Sequence, residues 1–592
     1  MMESQNANAK MLTKLMFRLL PVQILLYAVG AVNGIVSSYF ATNYVGIDAM
    51  TAVGIYSPLG MLVTSVGTIF IGGSTILCGK FMGQNAQKKM QNVFSLNLAL
   101  SLLVAFLFIV VFLVLGIFDL TAFLTRDPVV RPIFNIYLIG QAIGIIPQML
   151  GNSFAAFLSI ENKGRRTTIA SITYIIVNVV LDFLFLQVLH MEAFGLALAS
   201  ALGMWVFWAV QAEAFRSGKS HFRMSLKNLS WKESKEIFTI GLPGALTNIY
   251  QTARGLIVNH VLGIYVGSIG ISAFATANNA LNLVWAIPAA MLAVSRMMIS
   301  VSVGEEDRQT LTDVMRVMFK RFLPLMGVVI LVIILCAQPL TQIFYKDTTE
   351  PVYMMTVWGL RILPLCMPFA IICMHFTCYG QTSGKQVLVH LNSLLDGVIC
   401  VSAFTALLAP LIGMNSVYIA NVLNGVVIVS VFFIYAWVQN RHCPRNMEEL
   451  MVIPEDFGVS EDERMDLSIR SMEEVVSISE RVQAFCIDRG AAERSAFLAG
   501  LAMEEMAGNV VDHGFHKDQK KHTVDVRVVH KNDDFILRIK DDCVPFDPGE
   551  RQKMTESDDI TKNIGIRMIF KMANDIQYQN ILGLNVLTIR ID

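Results

Sequence analysis

Charge is what this sequence has least of. Only 16% of its 592 residues are charged, against about a quarter in an ordinary soluble domain, and 46 basic residues balance 46 acidic ones. With zero net charge, no nucleic-acid partner is expected. The nine cysteines include no CxxC pair and no metal-ligand spacing, which excludes a zinc site and a disulfide framework. Cys366, Cys373 and Cys378 fall in or near one apolar segment, as small buried thiols do. The opening stretch "MMESQNANAKMLTKLMFRLLPVQ" has no small-residue cleavage site, so no cleavable signal peptide is expected. There is no G-x4-GK[ST] loop, and with it goes a P-loop motor for primary transport.

What the chain does have is long apolar runs, which fill residues 17–438, whereas the last 150 or so residues carry an ordinary soluble mix. Spanning a bilayer takes roughly 20 apolar residues. Twelve segments qualify as expectations: 17–38, 50–78, 91–118, 131–158, 167–190, 193–214, 237–264, 269–296, 318–344, 354–380, 386–410 and 415–438. The polar stretch "RSGKSHFRMSLKNLSWKESKE" divides them six and six. The expected organisation is an N-terminal six-helix bundle (1–220), a C-terminal six-helix bundle (221–440), a linker (441–450) and a soluble α+β domain (451–592).

Lysine and arginine set the expected orientation. They cluster before the first segment (Lys10, Lys14, Arg18) and after the second (Lys80, Lys88, Lys89), fourth (Lys163, Arg165, Arg166), sixth (Arg216, Lys219, Arg223, Lys227) and eighth (Arg308, Arg316, Lys320, Arg321). The intervening loops carry few, Arg126, Arg131 and Lys346 being the exceptions. The pattern makes a multi-pass plasma-membrane protein with both termini cytoplasmic. The halves also echo each other: "ENKGRRTT" after the fourth segment matches "GQTSGKQ" after the tenth. A six-plus-six repeat is what alternating-access carriers show, with the site between the halves.

Asp182 lies inside an apolar helix with Asn178 one turn earlier on the same face. A carboxylate among lipid tails costs several kcal/mol, so such a residue faces a cavity and its protonation can follow the conformational cycle. Arg254, Arg361, His375, His390 and Asp396 fall inside C-terminal segments. Either arginine can pair with Asp396; if one is left over, the cavity is electropositive and favours an anionic or zwitterionic small organic substrate. Asn392 and Asp396 repeat the N-x3-D spacing but fall about six residues earlier from Gly384 than Asn178 and Asp182 do from Gly164, so they are not repeat-equivalents.

The ordered set "GIDAMTAVGIYSPL", "GKFMGQNAQKKMQNV" and "NVVLDFLFL", within two sets of six segments, resembles the multidrug and toxic compound extrusion (MATE) family over about residues 12–440. The resemblance implies an antiporter, coupled to H+ or Na+, that exports organic molecules. It also implies that Asn178 and Asp182 couple the cation. Proton-coupled members carry an Asp in the first segment, where this chain reads "NGIVSSYFATNYVG" and the matching position is Ser37, a residue that can coordinate a cation but not carry a proton.

Beyond the linker, "SMEEVVSISERVQAFCIDRG" and "ERSAFLAGLAMEEMAGNVVDHGF" read as helices, and "HTVDVRVVHKNDDFILRIKDD" as a hairpin turning at 532–534. "NIGIRMIFKMANDIQYQN" reads as another helix and "LNVLTIRID" as a last strand, giving helices on one face of a mixed sheet. Residues 450–592 resemble the GHKL ATPase fold, most closely its anti-sigma-factor serine-kinase type. The resemblance makes Glu505 the general base and Asn509 the Mg2+ ligand, sets Asp541 against the adenine amino group of ATP, and gives phosphate to backbone N–H groups near Gly565. Cys543 and Asn563 replace two glycines of the pattern. No histidine stands on "SMEEVVSISERVQAF", which excludes a sensor histidine kinase. A small regulatory protein of the anti-sigma-antagonist type is the partner implied. Three readings remain: an exporter regulated by its tail, a membrane-tethered serine protein kinase whose helical part senses a ligand, and a flippase of lipid-linked precursors.

Overall fold

The computed structural model describes the chain except residues 1–10, 29–46, 85, 126, 162, 217–219, 221, 224–228, 516–521, 532, 546–563, 582 and 592. The first half is built from α1 (Met11–Ala28), α2 (Ile47–Gly83), α3 (Gln87–Ile117), the bent pair α4 (Val130–Ala142) and α5 (Ile145–Ile160), α6 (Gly164–Phe183) and α7 (Glu192–Arg216). The second half has α8 (Ser234–Tyr265), α9 (Ser268–Gly304), α10 (Arg308–Val317), α11 (Leu323–Leu335), α12 (Ala337–Gln342), α13 (Pro351–Ile362), α14 (Met367–Thr382), α15 (Gln386–Leu394), α16 (Cys400–Ile412) and α17 (Asn415–Asn440), then the short α18 (Met447–Met451). Among the described residues ten helical runs are long and apolar enough to cross a membrane, or eleven with the bent pair taken as one span. The remaining expected span, the seventh at 237–264, is α8, which is long enough at 32 residues, but Asn248, Gln251, Arg254, Asn259 and His260 dilute its apolar character.

The two halves meet most closely along α2, α8 and α9, where glycines let backbone touch backbone. A Cβ on Gly73 would strike the Ile237 carbonyl, and one on Gly241 the Ile69 carbonyl. One on Gly83 would strike Val301, and one on Gly304 would strike Lys80. The pairing is reciprocal: each half supplies two glycines and two carbonyls. These contacts lie toward the face on which the C-terminal domain sits, here termed the domain side.

The C-terminal domain runs β1 (Arg464–Ile469), α19 (Met472–Asp488), α20 (Glu493–Asn509), β2 (Val524–Lys531), β3 (Asp534–Asp541), α21 (Ile564–Met572), β4 (Asp575–Ile581) and β5 (Leu584–Ile591). Its sheet has the order β1-β2-β3-β5-β4, and every pairing is antiparallel, not mixed as expected. The difference arises at 575–581, expected to continue a helix. Ile576 and Tyr578 alternate onto the core, and Gly583, at φ +89°, turns the chain back into a hairpin with β5. Val524, Val526, Val528, Leu537, Ile539 and Ile589 face α19 and α20 in one apolar core. The other face of an antiparallel sheet is free to meet water, but here it is covered: Leu584 and Val586 of β5 join the core of the helical part with Met11 and Leu12.

Candidate functional site

Asn178 and Asp182 lie on α6, and both are fully buried. Neither carboxylate oxygen of Asp182 has a hydrogen-bond partner among the described residues. The position of Ser37 lies outside the described residues. Tyr137 of α4 is close enough to Asp182 to feel its charge, and its hydroxyl accepts from Gln141 Nε2 at 2.9 Å. Tyr56 of α2 meets the Tyr137 ring edge-on, 5.5 Å between centroids. On the other side α7 approaches through Gly203, where a Cβ would lie 2.8 Å from the Tyr174 ring and 3.6 Å from Asn178 Cβ. The Tyr137–Gln141 pair is absent from the expected site residues, although polar groups spaced i, i+4 in an apolar helix are its signal.

In the second half Arg254 Nη1 donates to the backbone carbonyl of Asp396 at 3.3 Å, while the Asp396 carboxylate accepts from Asn424 Nδ2 at 2.8 Å. Arg361 lies over the ring of Trp358, 5.5 Å from its centroid. His375 is fully buried, bonded through Nδ1 to the Ile371 carbonyl and through Nε2 to the Ser295 hydroxyl. The structure gives the two intramembrane acids a shared setting that spacing alone did not show. Asp182 precedes a π-helical turn at Leu184–Val188, and Asp396 sits within one at Leu395–Ile399. Such turns widen a helix and recur at functional sites.

In the C-terminal domain Glu505 and Asn509 share one face of α20, and Asn509 Nδ2 donates to the Glu505 carbonyl at 2.5 Å. That commits the amide nitrogen to its own helix, so the group Asn509 can offer a cation is its oxygen. α20 then passes into a π turn at Val510–Gly514. Asp541 ends β3, buried, and its Oδ1 accepts from Asn585 Nδ2 at 2.7 Å and from the Cys543 amide at 2.9 Å. Burial pushes the Asp541 carboxyl up, against the pull of those donors. Asn585 is itself oriented by the Tyr578 hydroxyl and Asn580 Nδ2, both donating to its Oδ1. Asn585 is absent from the expected site residues, although a buried amide near the start of the largely apolar strand "LNVLTIRI" is its signal.

Cys543 shows where its extra bulk goes: its Sγ is 3.1 Å from where a Cβ on Gly514 would be, so a glycine after α20 makes room for the cysteine after β3. This contact joins the two predicted nucleotide-binding segments. Gly565 is the second residue of α21, and Asn563 lies outside the described residues. Asp542, next to Asp541, faces elsewhere: its carboxylate takes His522 Nδ1 at 2.8 Å and Lys14 Nζ at 2.8 Å. Burial alone would raise its pKa, but these two partners hold the carboxyl below the usual range.

Comparison with known proteins agrees with this division. Residues 24–184 and 243–396 match the family described as MatE, and residues 470–591 match the histidine kinase-like ATPase domain. The chain is 24% identical over 253 residues to a probable multidrug resistance protein NorM of Listeria innocua, a match that covers 41% of this chain and only 54% of that relative. A crystal structure of a MATE protein in complex with MaD3S superposes with a TM-score of 0.66 at 19% identity, over 74% of this chain and 97% of the other. A multidrug resistance MATE family transporter of the MOP superfamily, in an outward-facing conformation, gives 0.67 at 19% identity, over 74% and 96%. At these identities the superpositions speak to the fold.

Proposed function

The chain belongs to the MatE family, whose match spans more than half of its 592 residues, and from that we propose that it is a cation-coupled antiporter exporting small organic molecules by alternating access, regulated by its C-terminal nucleotide-binding domain. The observation that carries the reading is Asp182, a carboxylate buried in an apolar bundle without a hydrogen-bond partner among the described residues. Such a group is costly unless it exchanges its charge state with a coupling ion, H+ or Na+. Asn178, one turn away, offers an amide to the same ion. Transport then follows from competition: substrate and cation occupy the carrier in alternation, and Asp182 discharges its cation when the bundles rock.

The glycine contacts on the domain side favour a resting state closed there and open opposite. With the lysine and arginine pattern placing the domain side in the cytoplasm, this is the outward-open state. Among the described residues the Arg254 guanidinium has one hydrogen bond, to the backbone carbonyl of Asp396, and this supports an anionic or zwitterionic substrate.

The C-terminal residues fit an adenine nucleotide. Asp541 is a buried acceptor held in place for the base amino group, the Asn509 oxygen suits Mg2+, and the start of α21 offers backbone N–H groups to phosphate. When bound, ATP supplies a transferable phosphoryl group. Glu505 stands one turn before Asn509, where it can take a proton from an attacking hydroxyl or water. A serine on a small antagonist protein is the acceptor this arrangement would suit.

Proteoliposomes loaded with an anionic and a cationic dye, under imposed proton or sodium gradients, test the reading. Efflux should require a gradient and vanish in Asp182→Asn. ATP-driven efflux without a gradient would overturn it.

A further inference from the structure

The covered face of the sheet is the least expected feature of this molecule. Arg527 on β2 and Arg538 and Lys540 on β3 point away from the domain's own core, toward Glu305, Glu306 and Asp307, the loop that joins α9 to α10. Arg527 pairs with Asp307, and also with Asp466 at 2.5 Å. Lys540 reaches Glu305 at 2.8 Å and Asp307 at 3.7 Å, and Lys531 pairs with Glu306. The loop is braced as well as acidic. Asp307 caps α10 by accepting from the Thr310 amide and hydroxyl, and Glu306 is held at φ +53°. It begins one residue after Gly304, whose missing side chain lets α9 touch Lys80 of α2. The sheet thus grips the second half at the point where the two halves meet.

A second grip lies on the first half. α1 enters between the halves, with Phe17 edge-on to Phe322 at 5.8 Å, and Met11 and Leu12 seated against Leu584 and Val586. Its Lys14 holds Asp542, the neighbour of the adenine-reading Asp541. One short turn, 541–543, ties the two acids together: the Asp541 carboxylate accepts from the Cys543 amide, and the Cys543 thiol lies within 4.8 Å of the Asp542 carboxylate that Lys14 holds. Cys543 fills space against Gly514 in that turn. A base that takes up the Asp541 carboxylate would pull on the Cys543 amide bonded to it, and so on the turn that carries Asp542.

We propose that the C-terminal domain is a latch that holds the two halves closed on the domain side, with its basic sheet face on the 305–307 loop and Asp542 on Lys14, and that an adenine nucleotide at Asp541 loosens it. The proposal rests on the antiporter and nucleotide-site readings above. Reciprocity follows from linkage: if nucleotide weakens the Lys14–Asp542 pair, loss of that pair strengthens nucleotide binding.

Two measurements on the full chain in nanodiscs decide it. For the first, spin labels are placed at exposed positions of the two halves, Lys88→Cys and Lys320→Cys, after replacement of the exposed Cys336 and Cys443. A single short distance is expected in the parent. Neutralising the loop (Glu305→Gln with Asp307→Asn) should add a longer population, and so should neutralising the sheet (Arg527→Gln with Lys540→Gln). A distribution unchanged by both pairs overturns the latch, whichever way nucleotide behaves. For the second, binding of a fluorescent ATP analogue is titrated. Lys14→Ala should bind about fivefold more tightly than the parent, within the usual range of coupling between sites, and Asp541→Asn should not bind. Equal or weaker binding by Lys14→Ala overturns the nucleotide control. Absence of binding by the parent refutes the nucleotide site and that control together, and leaves the distance result to stand for the latch.

Discussion

Arg527 of the C-terminal sheet closes on Asp307, the cap of the helix that follows the eighth apolar segment, and the two side chains are 11% and 1% exposed. Each is the answer to the other's burial. Burial alone would raise the Asp307 carboxyl, but Arg527 and Lys540 hold it well below the usual range. Burial would lower the Arg527 guanidinium, but Asp307 and Asp466 hold it above its ordinary value.

Removing one partner should therefore cost more than removing both. Arg527→Gln leaves Asp307 buried beside fewer cations and should destabilise the protein by about 3 kcal/mol or more. Asp307→Asn keeps the helix cap, since Asn caps as well as Asp. The double variant should recover part of the loss, and a double-mutant cycle on thermal midpoints in detergent checks this. Because the folded pKa of Asp307 is depressed, its contribution is fully present above its unfolded value and is lost only as pH falls through the folded one. Asp307 itself should then add no pH dependence to docking between about pH 5 and 9.

Asp525 slopes the other way. Burial pushes its carboxyl up to about 6, against Ser468, Lys540 and Arg527. The unfolded carboxyl titrates near about 3.9, so between there and about 6 the folded state holds the extra proton and stability falls as pH rises. Asp525→Asn should match the parent at pH 4 and exceed it at pH 8 by on the order of 3 kcal/mol. Paired melts at the two pH values read the difference directly.

Gly241 faces the Ile69 carbonyl across the contact between the halves. Gly241→Ala should push the halves apart on the domain side and cost roughly 1 to 3 kcal/mol by overpacking. The label pair at Lys88 and Lys320 should report a longer distance, and an unchanged one would mean that the contact yields elsewhere.

Asn585 orients Asp541. Asn585→Ala should weaken fluorescent-nucleotide binding about tenfold, the worth of one hydrogen bond of roughly 1.4 kcal/mol. The fold should persist, and a circular dichroism melt run beside the titration separates the two effects.

Much of this was legible in the sequence because it is written in short periods. Apolar runs of membrane length, the spacing of Asn178 and Asp182 and the Glu505–Asn509 pair are each set by residues within a few turns of one another. Local reading failed where a pattern is shared by two structures. "DIQYQNI" follows a helix and reads as its continuation, yet it pairs with β5 because Ile576 and Tyr578 find the core at period two.

By itself the sequence determined that this is a helical membrane domain joined to an α+β domain, and which residue types could carry ion and nucleotide chemistry. Tertiary structure alone decided how they are joined. Lys14 meets Asp542 across 528 residues of chain, and Arg527 meets an acid of the other domain. With 46 basic and 46 acidic residues available, no local pattern names such partners. They are chosen by which strand face remains exposed once the other has been buried. The same holds for the glycines between the halves, whose role exists only where two backbones from distant segments touch.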